Sequence, residues 1–422
     1  MKYGIYSLDD FEVRGKTVLC RVDINQPIDR ENDRLRSIAR VTACVPTLRE
    51  LSDRGARLVV LAHQGSDIEY KNYYCTRPHA KVLSELLQRP VRWTDDVCGP
   101  AARDAIRSLG DGEILLLDNV RFVAEEQTLF ELKLQLTHEQ QAKTQLVEKL
   151  APLADLYVCD AFAAAHRDQP SLCGFEQVLP SAMGRLFERE YCVVSDLMEA
   201  PKHPCVFVLG GSKISDAFLM MQAILSRDTA DTVLTGGLVA NILLVAIGKE
   251  IGSGSMEFIR KSNYAAFIDT ARTIYEKYAD KIQLPTDLAY VKDGKRLECA
   301  IDAVPADIMA TDIGSAAAAH YRQIILSAGT VFVNGPMGIF EQEITAHGTR
   351  TVFEALAESS GFSVVGGGDS VAAAGTFGVV DHLGYVCTGG GALIRFLTGE
   401  ELPVVRALRY SAVNFRSDRH EA

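Results

Sequence analysis

The 422-residue chain has one tryptophan, no C-x-x-C pair among its ten cysteines, no long uninterrupted apolar run and no excess of basic residues. The single tryptophan says nothing about chemistry, but each of the other shortages removes a class of protein. Scattered cysteines speak against disulfides or a zinc site, and suit buried thiols in a reducing, cytoplasmic compartment. The most apolar stretch, residues 233 to 248, is interrupted by Gly236, Gly237 and Asn241, which makes it too short and too broken to span a bilayer. Asp9, Asp10 and Glu12 stand where a secretory signal would carry basic residues and then an apolar block, so no such signal is expected. With 44 Lys and Arg against 55 Asp and Glu, the formal net charge is −11. That argues against a surface built for nucleic acid or for an anionic membrane. Any anion site has to be a local basic cluster.

A hydrophobic share of 47% and a charged share of 23% are those of a globular protein, and the length exceeds one ordinary core, so two domains are expected. In the second half, apolar runs repeatedly end in glycine: before Gly210-Gly211, Gly236-Gly237, Asn334-Gly335, Gly366-Gly367-Gly368 and Gly389-Gly390-Gly391. Strands that stop at bare glycine turns and lead into helical patterns predict a parallel sheet whose C-terminal rim carries a site made mostly of main chain. Residues 362 to 374 are the clearest case. Ser363 to Val365 fit a buried strand, Gly366 to Gly368 allow close approach to N–H groups, and Val371 to Ala374 favour a helix. Asp369 or Ser370 would lie near the helix N-cap, where a carboxylate either caps the helix or holds magnesium beside a polyphosphate.

Strands of the first half end in polar and basic residues instead. The rim offers Asp23, Asn25, His63, Arg121, His166 and Arg167, with Arg40 arriving from a helical pattern. Singly, an arginine after a strand pairs with a carboxylate and a lone histidine is structural. Collected in a chain of net negative charge, they predict a pocket for a small, multiply charged anion, because guanidinium groups hold carboxylate and phosphate oxygens through paired bonds. Residues 128 to 150 and 258 to 281 read as solvated amphipathic helices. Residues 67 to 77 read as an exposed loop, and a helix from Arg185 as the interdomain connector. The first strand ends in Asp23 and Asn25 rather than in a G-x-G-x-x-G turn, which disfavours a nicotinamide-dependent oxidoreductase.

Along nearly its whole length the chain resembles the phosphoglycerate kinase family. The matching motifs are Arg21-Val22-Asp23-Ile24-Asn25, Leu117-Asp118-Asn119-Val120-Arg121-Phe122, Asp160-Ala161-Phe162 with His166-Arg167, and Leu209-Gly210-Gly211-Ser212-Lys213. They continue with residues 333 to 341, Gly366-Gly367-Gly368-Asp369-Ser370 and Thr388-Gly389-Gly390-Gly391-Ala392, and Ala62-His63-Gln64-Gly65 is similar to the archaeal branch. The resemblance implies an α/β fold of two doubly wound parallel-sheet domains facing a central cleft. The first would span residues 1–184, completed by 406–422, and the second residues 185–405 with the connector helix. It also implies reversible phosphoryl transfer between 1,3-bisphosphoglycerate and ADP, giving 3-phosphoglycerate and ATP, in glycolysis and gluconeogenesis.

By motif, Asp23, Asn25, Arg40, His63, Arg121 and Arg167 would bind the glycerate substrate. Lys213 would meet the moving phosphoryl group, making Arg40, Arg167 and Lys213 the catalytic set. Gly210, Gly211, Gly236 and Gly237 would shape the adenosine pocket, Glu341 would meet the ribose, and Asn334 with Gly367, Gly368 and Ser370 would face the phosphates. Asp369 would hold Mg2+. The partners implied are these small molecules, with no nucleic acid and no membrane. Two positions depart from the family pattern: Ser66 stands where an arginine is usual, and Ala217 where a second lysine is frequent. Lys71 or Arg77 could replace the missing charge. A kinase for a related phosphorylated acid and a binding relative with little turnover therefore stand as alternatives.

Overall fold

In the computed structural model, residues 1–65, 73–126 and 136–418 are described. The chain separates into two compact units, Met1–Cys192 with Glu401–Ala422, and Val193–Glu400. The divide falls inside the helix Arg185–Glu199 rather than at its start. The first turn of that helix is tied to the first unit. Arg185 N–H donates to Thr47 Oγ1 at 2.8 Å, and its guanidinium donates to Glu50 and Asp9. The chain rejoins this unit from Glu401, not from residue 406. The helix Pro403–Asn414 buries Val404, Val405 and Leu408, and the Ser411 hydroxyl donates to the Leu179 carbonyl at 3.1 Å.

In the first unit, β1 (Thr17–Arg21) is followed by a short antiparallel hairpin of β2 (Ile28–Asp29) and β3 (Arg34–Leu35). The remaining strands are β4 (Arg57–Leu61), β5 (Val91–Trp93), β6 (Ile114–Leu116), β7 (Leu156–Cys159) and β8 (Ser181–Met183). They form one parallel sheet in the order β5-β6-β4-β1-β7-β8. The central strands β1 and β7 are buried along their whole length. This is why they read as continuous apolar runs, since helices cover both faces of a parallel sheet.

The second unit carries β9 (Cys205–Leu209), β10 (Thr232–Thr235) and β11 (Ile282–Gln283). Then come β12 (Asp287–Lys292), β13 (Lys295–Ala300) and β14 (Ala310–Ile313), followed by β15 (Thr330–Asn334), β16 (Phe362–Gly366) and β17 (Tyr385–Val386). Its parallel sheet runs β11-β10-β9-β15-β16-β17, and β13-β12-β14 form a separate antiparallel sheet that the sequence reading did not anticipate.

Three local expectations are corrected. The described part of 128–150 is two short helices, His138–Gln141 and Gln145–Leu150, in which Leu146, Val147 and Leu150 are buried rather than solvated; residues 127 to 135 lie outside the described residues. Residues 258–281 are not one helix. Asn263, with φ 58°, interrupts the pattern between Ser253–Lys261 and a 3-10 turn leading into Ile268–Tyr278. In 67–77, the described end is not an exposed loop, because Tyr73 and Thr76 are buried. Among the described residues, no helix is long and apolar enough to cross a membrane.

Candidate functional site

At the C-terminal ends of β1, β4 and β6 the chain closes on itself through amides. Asn119 accepts from Gln64 N–H at 3.2 Å and from Arg121 N–H at 3.1 Å, while its Nδ2 donates to the Gln64 carbonyl at 2.7 Å. Asn25 exchanges two bonds with Gly65, and the Gly65 carbonyl also accepts from Arg121 Nη1 at 2.7 Å. Asp23 is engaged by Arg40, whose Nη1 donates to Oδ2 at 2.8 Å, and accepts from Asn25 N–H at 3.1 Å. Asp23 and Asn25 therefore hold the rim in shape, while Arg40 stays half-exposed in the first turn of the helix Ala39–Asp53.

His63 follows β4 and is 3% exposed. Burial first, then the charges of Arg21, Arg121, Arg167 and Arg40, hold its imidazole well below the usual histidine range. Four guanidinium groups thus act on one neutral ring in a protein of net charge −11. Arg121 also lies over the Tyr73 ring, 5.7 Å from its centroid. Arg167 is half-buried, just past the 3-10 turn Phe162–Ala164.

The sequence reading passed over three members of this neighbourhood. Arg21, 1% exposed, is the last residue of β1; it reaches His63 on one side and Ser171 on the other, and Ser171 is gripped by the buried Glu126. Arg21 stands inside a quoted motif, but nothing in its spacing shows partners that lie 42 and 150 residues away. Arg77 ion-pairs with Asp33 at 3.0 Å and lies over Trp93. Ser66 and Lys71 lie outside the described residues.

In the second unit the strand-end glycines serve mainly to let backbones touch. Gly210 N–H donates to the Asn334 carbonyl at 2.9 Å, Gly211 N–H to Pro336 at 2.8 Å and Gly237 N–H to Met337 at 2.7 Å. A Cβ on Gly210 would meet the Pro336 carbonyl oxygen at 2.2 Å, and one on Gly236 the Met337 sulfur at 2.5 Å. Glycine is required there by close approach.

Two cavities adjoin this knot. One, of about 390 Å³, is lined by Gly211, Gly237, Leu238, Phe258, Leu288, Met309, Ile339, Phe340 and Glu341. Its size and apolar walls suit a nucleoside. Phe258, Leu288 and Met309 were not expected here, because they come from the helix Ser253–Lys261, from β12 and from the residue just before β14. The smaller cavity gathers Gly210, Lys213, Asn334, Gly367, Gly368, Asp369 and Ser370. Gly236 lines neither of these two cavities.

Around the smaller cavity, the helix Gly368–Thr376 starts from Gly367 at φ 86°, so Asp369 lies in its first turn rather than at the cap. The first N–H groups of a helix have no partner within it and carry partial positive charge. The Asn334 Nδ2 is buried without a hydrogen-bond partner. Ser370 Oγ accepts from Gly335 N–H at 2.7 Å, which fixes the turn after β15. Lys213 is exposed at the N-cap of the helix Ile214–Ser226, and Ala217, one turn on, is buried. Asp369 lines both cavities.

Comparison with known proteins extends over nearly the whole chain. The family model for phosphoglycerate kinase matches residues 8–400. The phosphoglycerate kinase of Methanothermobacter thermautotrophicus is 46% identical over 412 residues, 97% of this chain and 98% of the relative. That of Thermococcus kodakarensis is 40% identical over 421 residues, covering 98% and 99%. The crystal structure of phosphoglycerate kinase from Pyrococcus horikoshii matches with a TM-score of 0.86 at 40% identity, covering 97% of this chain and 100% of the other. The enzyme from Coxiella burnetii matches with a TM-score of 0.81 at 31% identity, covering 96% and 98%. With a family model matched over residues 8–400 and relatives 40 to 46% identical over nearly their whole length, the chain belongs to the phosphoglycerate kinase family.

Proposed function

We propose that this protein is a phosphoglycerate kinase, a phosphotransferase with a carboxyl group as acceptor that works reversibly between 1,3-bisphosphoglycerate with ADP and 3-phosphoglycerate with ATP. The observation that carries the reading is the smaller cavity of the second unit. Lys213, a buried amide donor on Asn334 and the N-terminus of the helix Gly368–Thr376 converge there beside an apolar chamber of nucleoside size.

In this reading Leu238, Phe258, Leu288 and Met309 sandwich the base, Glu341 accepts from ribose hydroxyls, and the helix N-terminus and Asn334 hold the phosphates. The basic rim holds the glycerate: Arg40, Arg121 and Arg167 meet its anionic groups and His63 donates a hydrogen bond. A β-phosphate oxygen of ADP attacks the phosphorus of the acyl phosphate, the bond from phosphorus to the carboxyl oxygen breaks, and the carboxylate of 3-phosphoglycerate leaves. Lys213 stabilises the oxygens of the phosphoryl group in transit. Such transfer needs positioning and charge neutralisation rather than a protein nucleophile.

Asp369 is the residue that would hold Mg2+. Its exposed carboxylate adjoins both cavities, and magnesium binds through one or two carboxylates plus phosphate oxygens, so the donor fits the ion. When bound, the ion neutralises nucleotide phosphate charge. Ten free cysteines support a reducing, cytoplasmic location. A coupled assay of the purified protein with ATP, comparing 3-phosphoglycerate with 2-phosphoglycerate, tests the reading. Turnover only with the 3-isomer is expected, and no turnover with it refutes the assignment.

A further inference from the structure

The three nitrogens of Arg21 are all engaged. Nε donates to Ser171 Oγ at 3.0 Å, Nη1 donates to the Val22 carbonyl, and Nη2 lies 3.0 Å from His63 Nδ1. Behind it, Ser171 Oγ donates to Glu126 Oε1 at 2.6 Å and Ser171 N–H donates to Glu126 Oε2 at 2.9 Å. Arg21, Glu126 and Ser171 are each 1% exposed or less. A guanidinium can only donate, and a carboxylate gripping two donors can only accept. The polarity of the chain is therefore set from its far end: Glu126 accepts from Ser171, Ser171 accepts from Arg21, and Arg21 donates to His63.

We infer that Arg21, held by Ser171 and Glu126, is a positioning residue that locks His63 as the neutral tautomer with its proton on Nε2, so that the ring presents one uncharged N–H donor to an anionic ligand. Nδ1 must offer a lone pair to Arg21, and in a neutral imidazole the proton then sits on the other nitrogen. The charged groups acting on the ring, Arg21, Arg121, Arg167 and Arg40, are all cationic and disfavour a second proton. The buried Arg21 charge in turn has Glu126 as counter-charge, without which burial would be costly. The consequence is a division of labour in the basic rim. Arginines supply the charge, while His63 supplies direction and keeps its protonation state as pH varies. This rests on the reading of His63 as a glycerate ligand only for its effect on binding, and not for the tautomer itself.

The test is long-range 1H–15N correlation on the full-length protein labelled at histidine, with His63 assigned by the signal missing from His63→Gln. The expected spectrum has a protonated Nε2 and an unprotonated Nδ1, unchanged between about pH 6 and pH 8. A proton on Nδ1, or titration within that range, overturns the lock. Ser171→Ala and the isosteric Glu126→Gln should each give a mixture of tautomers. Each should also raise KM for 3-phosphoglycerate about three- to tenfold, the range of one net hydrogen bond, with kcat within about twofold. Unchanged tautomers in both variants overturn the role of Ser171 and Glu126, which a merely structural loss of affinity would not reveal. If the parent spectrum is as expected but 3-phosphoglycerate leaves the Nε2 signal unmoved, the lock stands and the ligand role of His63 fails.

Discussion

Replacing Lys213 by alanine should slow the chemical step far more than it weakens nucleotide binding. The side chain is exposed, its residue is the N-cap of the helix Ile214–Ser226 through main-chain atoms, and its ammonium makes no ion pair among the described residues. Removing it therefore leaves the fold intact, and the melting temperature should stay within about 2 °C of the parent. The apolar chamber that would receive the base lies on other residues, so the ADP dissociation constant should change less than about threefold. For the step itself, a unit charge about 4 Å from a developing oxyanion is worth about 1 kcal/mol in bulk water and about 4 kcal/mol at an effective dielectric constant of about 20. At 1.36 kcal/mol per tenfold, the upper figure is about a thousandfold. Removing one preorganised donor to a transition-state oxygen commonly costs about 10² to 10³ in kcat, the same range. Steady-state kinetics with a phosphoglycerate-coupled readout, beside calorimetric titration of ADP, measures both quantities. A kcat within threefold of the parent, or an ADP affinity that falls as far as kcat does, refutes the assignment of Lys213 to the transferred group.

Arg167→Ala should raise KM for 3-phosphoglycerate about ten- to a hundredfold, the cost of a lost charge-assisted bond, while calorimetry finds ADP binding unchanged. A large loss of ADP affinity would contradict the division between the two rims. Asp160 is buried with one carboxylate oxygen unpartnered, and burial pushes its carboxyl up to about 7. Because the folded state holds this proton more tightly than the unfolded one, stability contributed by the group is present at low pH and is lost as pH rises from about 4 to about 7. Asp160→Asn should therefore gain on the parent when urea unfolding is repeated at about pH 8 rather than about pH 5.5; an equal difference at both pH values would dispose of this. Gly335 has φ 95° and a Cβ there would meet the Gly210 carbonyl oxygen at 2.1 Å. Gly335→Ala should cost at least about 2 kcal/mol of unfolding free energy, and an unchanged urea midpoint would show that the glycine knot tolerates a side chain.

The chemistry carried by runs of neighbouring residues was legible in the sequence. Buried parallel strands such as β1 and β7 announce themselves because both faces are covered and most positions are apolar. The glycines after β9 and β15 announce a rim because backbone contact at carbonyl distance excludes a Cβ. Hence Arg121 and Asp369 could be named from the end of a strand and the character of the turn after it, while Lys213 was named through the family resemblance. Tertiary structure alone decided which of these groups have reach to spare. Asp23 and Asn25 turn out to be bound to Arg40 and Gly65, and the buried chain from Glu126 through Ser171 and Arg21 to His63 spans elements distant in sequence. So do the walls of the nucleoside chamber, where Phe258 comes from a segment read as a solvated helix and Met309 from just before β14. Hydrogen-bond direction and cavity lining depend on distances of a few ångströms between residues far apart along the chain. Local pattern constrains only the dihedral angles and the exposed face of each segment, which is why strand, turn and charge could be read in advance while the partner of each polar atom could not.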